Sequence, residues 1–421
     1  MKGRFCSIFL CLFFVSIAAS WTEPRCVVSD WYDHATTAIV TVAKKGPGTS
    51  CVYLAYAAVA MFDAAAAVDG RFKPFAVAAN APAGASQDAA VVAAAHDVLV
   101  HYLPAQKAAL DAEQDSSLAG IANGTAKEEG ISVGRIVAER WIAIRANDGL
   151  EAKVSYRPRH GPGVWEPVPN VPAPAPNVTP TPVEPWFTQF KPFALSNPNQ
   201  FLADLEQPYS LDSKEWVDDF NRTKDFGAFN STHRTPEQTE IGLFWTDHGA
   251  AQYMRAIRGL IESRNLNTTD AARMGAMAWV TCADAFAASM SAKYHFAFWR
   301  PYTAIRNTGS TSNSRTAADP EWIPLAPTPG HPEYPANHGV VTQALMGALA
   351  GFFGTDSVQI TFTSSVTHTV HAFSTLQDVV REVDEARIYG GMHYRHSVLQ
   401  GNMLGKKIAS YICTNYFLRK D

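Results

Sequence analysis

The chain has 421 residues, enough for a sizeable core in two or three domains of ordinary size or in one large helical unit, and its 47% hydrophobic and 18% charged residues exclude wholesale disorder. Against 35 Lys and Arg stand 39 Asp and Glu, a net charge of −4. No global basic field therefore exists to hold nucleic acid or an anionic membrane, and any anion site must be local.

At the N-terminus, Lys2 and Arg4 precede an apolar run from Ile8 to Ala19 broken only by Ser16, and Ala18, Ala19 and Ser20 offer small residues for cleavage. Residues 1–20 read as a secretory signal peptide, whose loss takes two basic residues with it and leaves a net charge of −6. Cys6 and Cys11 leave as well, so Cys26, Cys51, Cys282 and Cys413 allow two disulfides in three pairings, among which spacing does not choose. Sequons at Asn123, Asn177, Asn221, Asn230 and Asn267 fit a secreted glycoprotein of the extracellular space or the endomembrane lumen. No stable membrane insertion is expected after signal removal, because Asp63 interrupts the most apolar stretch that remains.

Helical patterns then cover 50–69, with Gly70 as a stop, and 87–102, 127–147, 235–264, 269–294, 339–353 and 397–416. Residues 359–370 alternate weakly and are rich in Ser and Thr, which suits a small hairpin or a loop. Residues 166–185 hold eight prolines, favour extended polyproline conformation and divide an Ala-rich N-terminal part from residues 186–421, where most His and Trp lie. The expected fold class is all-α: packed helix bundles with a Pro-rich crossover, few short strands and one domain over 21–421. No internal repeat is evident.

Two motifs fail on context. Gly130-Ile131-Ser132-Val133-Gly134 matches a serine-hydrolase elbow, but lies inside a helical stretch where a strand must precede it. His368-x-x-His371 and His393-x-x-His396 offer four nitrogens to zinc without an accompanying H-E-x-x-H or Cys pair, so solvated or packed rings are favoured for His368, His371 and His396.

The chemistry concentrates in three later segments. Lys293-x6-Arg300-Pro301 ends an apolar helix, and the two cations share about one face if the helix continues that far. Pro335-Ala336-Asn337-His338-Gly339 opens onto an apolar run whose first N–H groups would face a bound anion. Arg387-Ile388-Tyr389-Gly390-Gly391-Met392-His393 carries glycines that would let backbone approach a ligand. Lys293, Arg300 and Arg387 supply three positive charges for one tetrahedral oxyanion, while the two imidazoles can divide the roles of nucleophile or metal ligand and of general acid/base.

In this order the segments resemble the signature of the vanadium-dependent haloperoxidases and of the type 2 phosphatidic acid phosphatase superfamily that contains them: Lys-x6-Arg-Pro, Pro-Ser-Gly-His and Ser-Arg-x5-His. Ala283-Asp284-Ala285, Phe298-Trp299-Arg300-Pro301, Pro332-Glu333-Tyr334-Pro335, Ile388-Tyr389-Gly390-Gly391 and Phe62-Asp63-Ala64 are similar to the haloperoxidase branch. The resemblance implies vanadate as cofactor, with phosphate as a competitor, and hydrogen peroxide, a halide and a small organic acceptor as partners. It implies that His393 binds the metal, that Lys293, Arg300 and Arg387 hold its oxygens, and that His338 is the catalytic acid/base. Seven residues before the acid/base His, chloroperoxidases resemble one another in having Phe and bromoperoxidases in having His; His331 stands here and tilts the expectation toward bromide.

The chain departs from the pattern at Ala336 and Asn337, in place of Ser and Gly, and at Ala386, in place of the Ser before Arg387. A lost charge-assisted hydrogen bond costs about 1.5–3 kcal/mol of oxyanion binding unless the Asn337 amide compensates. Ser397 stands where the phosphatase branch has an Asp, which leaves the partner that orients His393 unassigned. Met290 stands where the haloperoxidase groups carry Trp or Arg. Three functions follow: a vanadate-dependent haloperoxidase-like peroxidase, an acid phosphatase acting through a phosphohistidine, or a catalytically impaired scaffold glycoprotein.

Overall fold

The computed structural model describes residues 26–167, 182–307 and 313–420; the signal reading at 1–20, most of the Pro-rich segment and the Asn177 sequon lie outside the described residues. In chain order the helices are α1 (Val27–Thr36, continued by a π-turn over Thr37–Val42), α2 (Pro47–Asp69), α3 (Gln87–Tyr102), α4 (Lys107–Ala119), α5 (Thr125–Arg145), α6 (Lys214–Gly227) and α7 (Pro236–Phe244). There follow α8 (Gly249–Ser263), α9 (Thr268–Phe296), α10 (Pro301–Arg306), α11 (Asn337–Phe353), α12 (Leu376–Tyr389) and α13 (Arg395–Asn415). The strands β1 (Ile360–Thr363) and β2 (Val370–Phe373) pair antiparallel between α11 and α12, so the all-α expectation holds and the weak alternation at 359–370 is a hairpin.

Local chemistry sets the helix ends. Ser86, Ser213, Asn267 and Thr375 cap α3, α6, α9 and α12 by accepting a first-turn N–H, and Thr235 with Gln238 forms a capping box on α7. Gly70 at φ 79° and Gly354 at φ 70° close α2 and α11 in the left-handed conformation. The pattern at 235–264 is not one helix: it breaks at Trp245–His248, where the Asp247 carboxylate accepts the His248 N–H and holds Arg255 and Ser365. Among the described residues, α1, α4, α6, α10 and α12 are not signalled: α10 is short, and the others are rich in polar residues, so that a narrow apolar face such as Leu376, Val379, Val380 and Val383 of α12 does not stand out.

The core runs along α2 and α9, which pack on each other; α3 and α5 cover α2, and α11 sits against α9, α12 and α13. By length and hydropathy α2 is able to cross a membrane even with Asp63, but here it is buried on every face from Gly48 to Ala66, since small Ala and Val side chains let neighbours approach all round. Its Asp63 carboxylate accepts N–H bonds from Phe75, Ala76 and Val77 at 2.6–3.0 Å. Asp284 of α9 does the same for Phe193, Ala194 and Leu195 at 2.6–2.9 Å. The two receiving segments are almost one sequence, Phe72-Lys-Pro-Phe-Ala-Val77 and Phe190-Lys-Pro-Phe-Ala-Leu195, a recurrence too short to stand out as an internal repeat. The elbow-like Gly130-x3-Gly134 is a packing contact: a Cβ at either glycine would stand 2.2 Å from a carbonyl oxygen of α3 or its cap, Ser86 or Ala90.

Candidate functional site

Helix α9 delivers Lys293 in its last turn, then stops. Ala297 takes a left-handed conformation at φ 50°, so Arg300 is not on the same helical face, as the spacing suggested, but caps α10 after a turn. The two cations still converge, because both bind the Pro-rich loop that precedes α11. Lys293 Nζ donates to the Pro332 and Glu333 carbonyls at 2.9 and 2.8 Å, and Arg300 Nε donates to the His331 carbonyl at 2.9 Å. Arg387 arrives near the end of α12, where its guanidinium reaches the Trp245 carbonyl at 3.3 Å and the Met392 sulfur at 3.0 Å. That carbonyl is free to accept because α7 ends there.

These groups surround a cavity of about 320 Å³. His331, Asn337, His338, Arg387, Met392 and His393 line it, with Cys51, Trp245 and Tyr253 among the other walls. Lys293 and Arg300 stand behind that lining, fully buried. Of the residues singled out in sequence, His331, Asn337, His338, Arg387 and His393 thus meet at one cavity, and Lys293 and Arg300 support its wall. His368, His371 and His396 do not join them. His371 lies between Glu240 and Glu382, and His396 bonds the Gln207 carbonyl and stacks on Tyr209.

The protonation of His393 follows from its partners. Arginine only donates, so the 3.1 Å contact from Arg300 makes Nε2 of His393 an acceptor, and its Nδ1–H then donates to Glu333 Oε1 at 2.8 Å. Glu333 also accepts the Tyr394 N–H. In the sequence Glu333 stands out only within Pro332-Glu333-Tyr334-Pro335, and the partner of His393 is unassigned there. Its signal was an acidic residue in the otherwise apolar run between two prolines, a position where burial of a carboxylate needs a reason. His331 likewise receives a 2.9 Å bond from Arg300 at Nδ1.

The motif departures have structural roles. The Ala336 N–H is taken by the Ser397 carbonyl at 3.1 Å and its methyl packs with Ile388 and Val398, so it is not an anion donor. The Asn337 side chain accepts from Ser289 and points its amide nitrogen at the Met290 sulfur, 3.4 Å away. The Asn337 and His338 N–H groups, in the first turn of α11, have no intrahelical acceptor. Gly390 and Gly391 serve packing rather than ligand approach. A Cβ on Gly391 would meet the Gly227 carbonyl at 2.5 Å, and one on Gly390 would meet Met392 at 2.7 Å.

Electrostatically the site asks for an anion. Three buried cations face one fully buried carboxylate, Glu333, with Glu184 and Asp247 at the cavity wall, while Arg387 Nε has no acceptor. Burial, then Arg387, Lys293 and Arg300, hold His338 well below the ordinary imidazole range, and burial with Arg300, Lys293 and Arg387 does the same to His393; both rings are neutral. Burial and the neighbouring guanidiniums push Lys293 well down. Burial pushes Glu333 up to about 7 against the pull of Lys293 and Arg300. A tetrahedral oxyanion fits this donor set: it would satisfy Arg387 Nε and offset the mutual repulsion of the cations.

Residues 273–417, which hold the whole constellation, match the family model for the VCPO second helical-bundle domain. Among curated proteins, the vanadium chloroperoxidase of Curvularia inaequalis is 31% identical over 158 residues, 30% of this chain, and the matched part is 25% of that protein. Among solved structures, a bacterial vanadium-dependent iodoperoxidase superposes with a TM-score of 0.78 at 21% identity, over 94% of this chain and 97% of that one. A holo-type bacterial vanadium-dependent chloroperoxidase gives 0.68 at 17% identity, over 93% and 95%. At these identities the two structures show a shared helical fold.

Proposed function

We propose that this chain, a relative of the vanadium haloperoxidases, is a secreted peroxidase that uses hydrogen peroxide to oxidise halide, bromide in preference to chloride, for transfer to a small organic acceptor. The observation that carries the reading is a cavity lined by Arg387 and two neutral imidazoles and backed by buried Lys293 and Arg300, with a buried Arg387 N–H that lacks an acceptor. Lys293, Arg300 and Arg387 would hold the oxygens of vanadate, and His393 Nε2 would reach its metal by exchanging the Arg300 hydrogen bond for it; phosphate would compete for the same donors. When bound, vanadate supplies a Lewis-acid centre that activates peroxide for attack by halide without changing its own oxidation state.

The chain's own groups do the remaining work. Glu333 fixes the Nδ1–H tautomer of His393 and so keeps Nε2 unprotonated. His338, neutral at pH 7, takes a proton from incoming hydrogen peroxide and returns it as the O–O bond breaks. Hydrogen peroxide, halide and one proton then give hypohalous acid and water. The bromide preference rests on the identity of His331, which lies in the cavity wall bonded to Arg300. Secretion is supported by the sequons, of which Asn123, Asn230 and Asn267 are exposed.

The test is bromide-dependent peroxidase turnover of the purified protein with added vanadate, alongside vanadium content after dialysis. Turnover and retained vanadium, both lost in His393→Ala, are expected. No turnover and no retained vanadium would overturn the proposal, and a phosphohistidine trapped at His393 from a phosphomonoester would replace it with the phosphatase reading.

A further inference from the structure

Two thiols that the site chemistry does not use meet beside the cavity. Cys51 of α2 and Cys282 of α9 are both fully buried, 231 residues apart in sequence, with their sulfurs 2.9 Å apart. Ordinary non-bonded packing leaves roughly 3.5–4.0 Å between heavy atoms. Cys51 also lines the cavity, so a small oxidant in the cavity reaches it without unfolding either helix. Cys26 and Cys413 sit elsewhere, one at the start of α1 and the other near the end of α13 against Gly351.

We propose that Cys51 and Cys282 are an oxidisable pair that closes into a disulfide tying α2 to α9. Of the three pairings that spacing leaves open, only the one joining Cys51 to Cys282 uses this contact. The oxidant is a peroxide, here hydrogen peroxide. The Cys51 sulfur attacks the O–O bond, giving a sulfenic acid and one water. The Cys282 sulfur then attacks that sulfenic sulfur, displaces its oxygen as a second water and forms the S–S bond; two electrons pass from the thiols to peroxide. Burial keeps the Cys51 thiol protonated, so closure in the folded protein is slow, and the bridge is a structural tie rather than a rapid sensor. The tie lies on the helix that carries Lys293 in its last turn and so fixes the α2 wall of the cavity against the cation cluster. The inference is independent of the haloperoxidase reading, because the peroxide is supplied in the experiment.

The test is peptide mapping of the purified full-length protein, reduced, freed of reductant, exposed to hydrogen peroxide while folded, then alkylated and digested without reductant. A peptide joining Cys51 to Cys282, lighter by two hydrogens than the separate thiols, is expected to accumulate, and the oxidised protein should melt several degrees above the reduced one. Cys51→Ser should lose the cross-link. Recovery of Cys51 and Cys282 as alkylated thiols after peroxide, or linkage of either to Cys26 or Cys413, would overturn the proposal, and the wild-type map decides this even where a variant folds poorly.

Discussion

At the scale of single residues, Glu333 is the position whose role the structure sharpens most. It holds the ring that sequence alone left without a partner, through a 2.8 Å bond at Nδ1. Glu333→Ala should therefore lower phosphate or vanadate affinity about 10–100-fold, as loss of a ligand's outer partner does, measured by calorimetry. Glu333→Gln keeps an acceptor for the ring and isolates the charge. The unfolded chain releases the Glu333 proton near 4.5, and the folded chain holds it to about 7. This contribution to stability is fully present below pH 4.5 and is lost as pH rises through about 7. Urea midpoints of wild type and Glu333→Gln should diverge across that window, with the wild type falling; parallel curves would count against the shift. Ala336 yields the opposite kind of expectation. A hydroxyl placed there by Ala336→Ser enters a cluster with Ile388 and Val398, away from the cavity lining. The variant should lose about 1–3 kcal/mol in urea denaturation and gain no anion affinity, although the family motif has Ser at this place.

At the scale of elements, what was legible in the sequence was periodicity, and what was hidden was interruption. Both ends of α3, Gln87 and Tyr102, are legible because a capping Ser and an unbroken Ala-Val pattern bound it. Arg387 is legible as a site residue while its helix is not, since the charged outer face of α12 lowers its overall hydropathy although Leu376, Val379, Val380 and Val383 form an intact stripe. Tertiary contact likewise overrode local pattern at Trp245–His248, where the freed Trp245 carbonyl receives Arg387. Only the structure shows that Gly130 and Gly134 are a helix-packing face. Gly134→Leu should force α5 from α3 and cost about 1–3 kcal/mol, read as a lowered melting temperature with phosphate affinity unchanged. The Phe-Lys-Pro-Phe-Ala recurrence was visible in the letters, but its meaning was not. Each copy presents three successive N–H groups to a buried Asp of a central helix, so a hexapeptide too short to declare a repeat marks the same anchoring device twice.

At the scale of the whole molecule, a net charge of −4 does not weigh against the proposed anion site, because the cations are interior. An acidic surface repels anions only over roughly a Debye length of about 8–10 Å, whereas the site acts at hydrogen-bond range. The arrangement has a cost in the free protein. Like charges are buried together, and burial pushes Arg387 down to about 9, with Arg300 adding to the shift. Its contacts to the Trp245 carbonyl and the Met392 sulfur are weak compensation for a desolvated guanidinium with one N–H unbonded. Replacing such a group by an apolar one of similar volume is commonly neutral or stabilising. Arg387→Met should therefore melt at or above the wild type in oxyanion-free buffer. In the wild type, phosphate or vanadate at 100 times its dissociation constant should add about 2.7 kcal/mol of stability, and in Arg387→Met that gain should vanish. Paired melting curves with and without oxyanion separate the two roles: a variant that melts far below the wild type without ligand would make Arg387 a structural ion, and one that keeps the ligand-dependent rise would remove it from the oxyanion site.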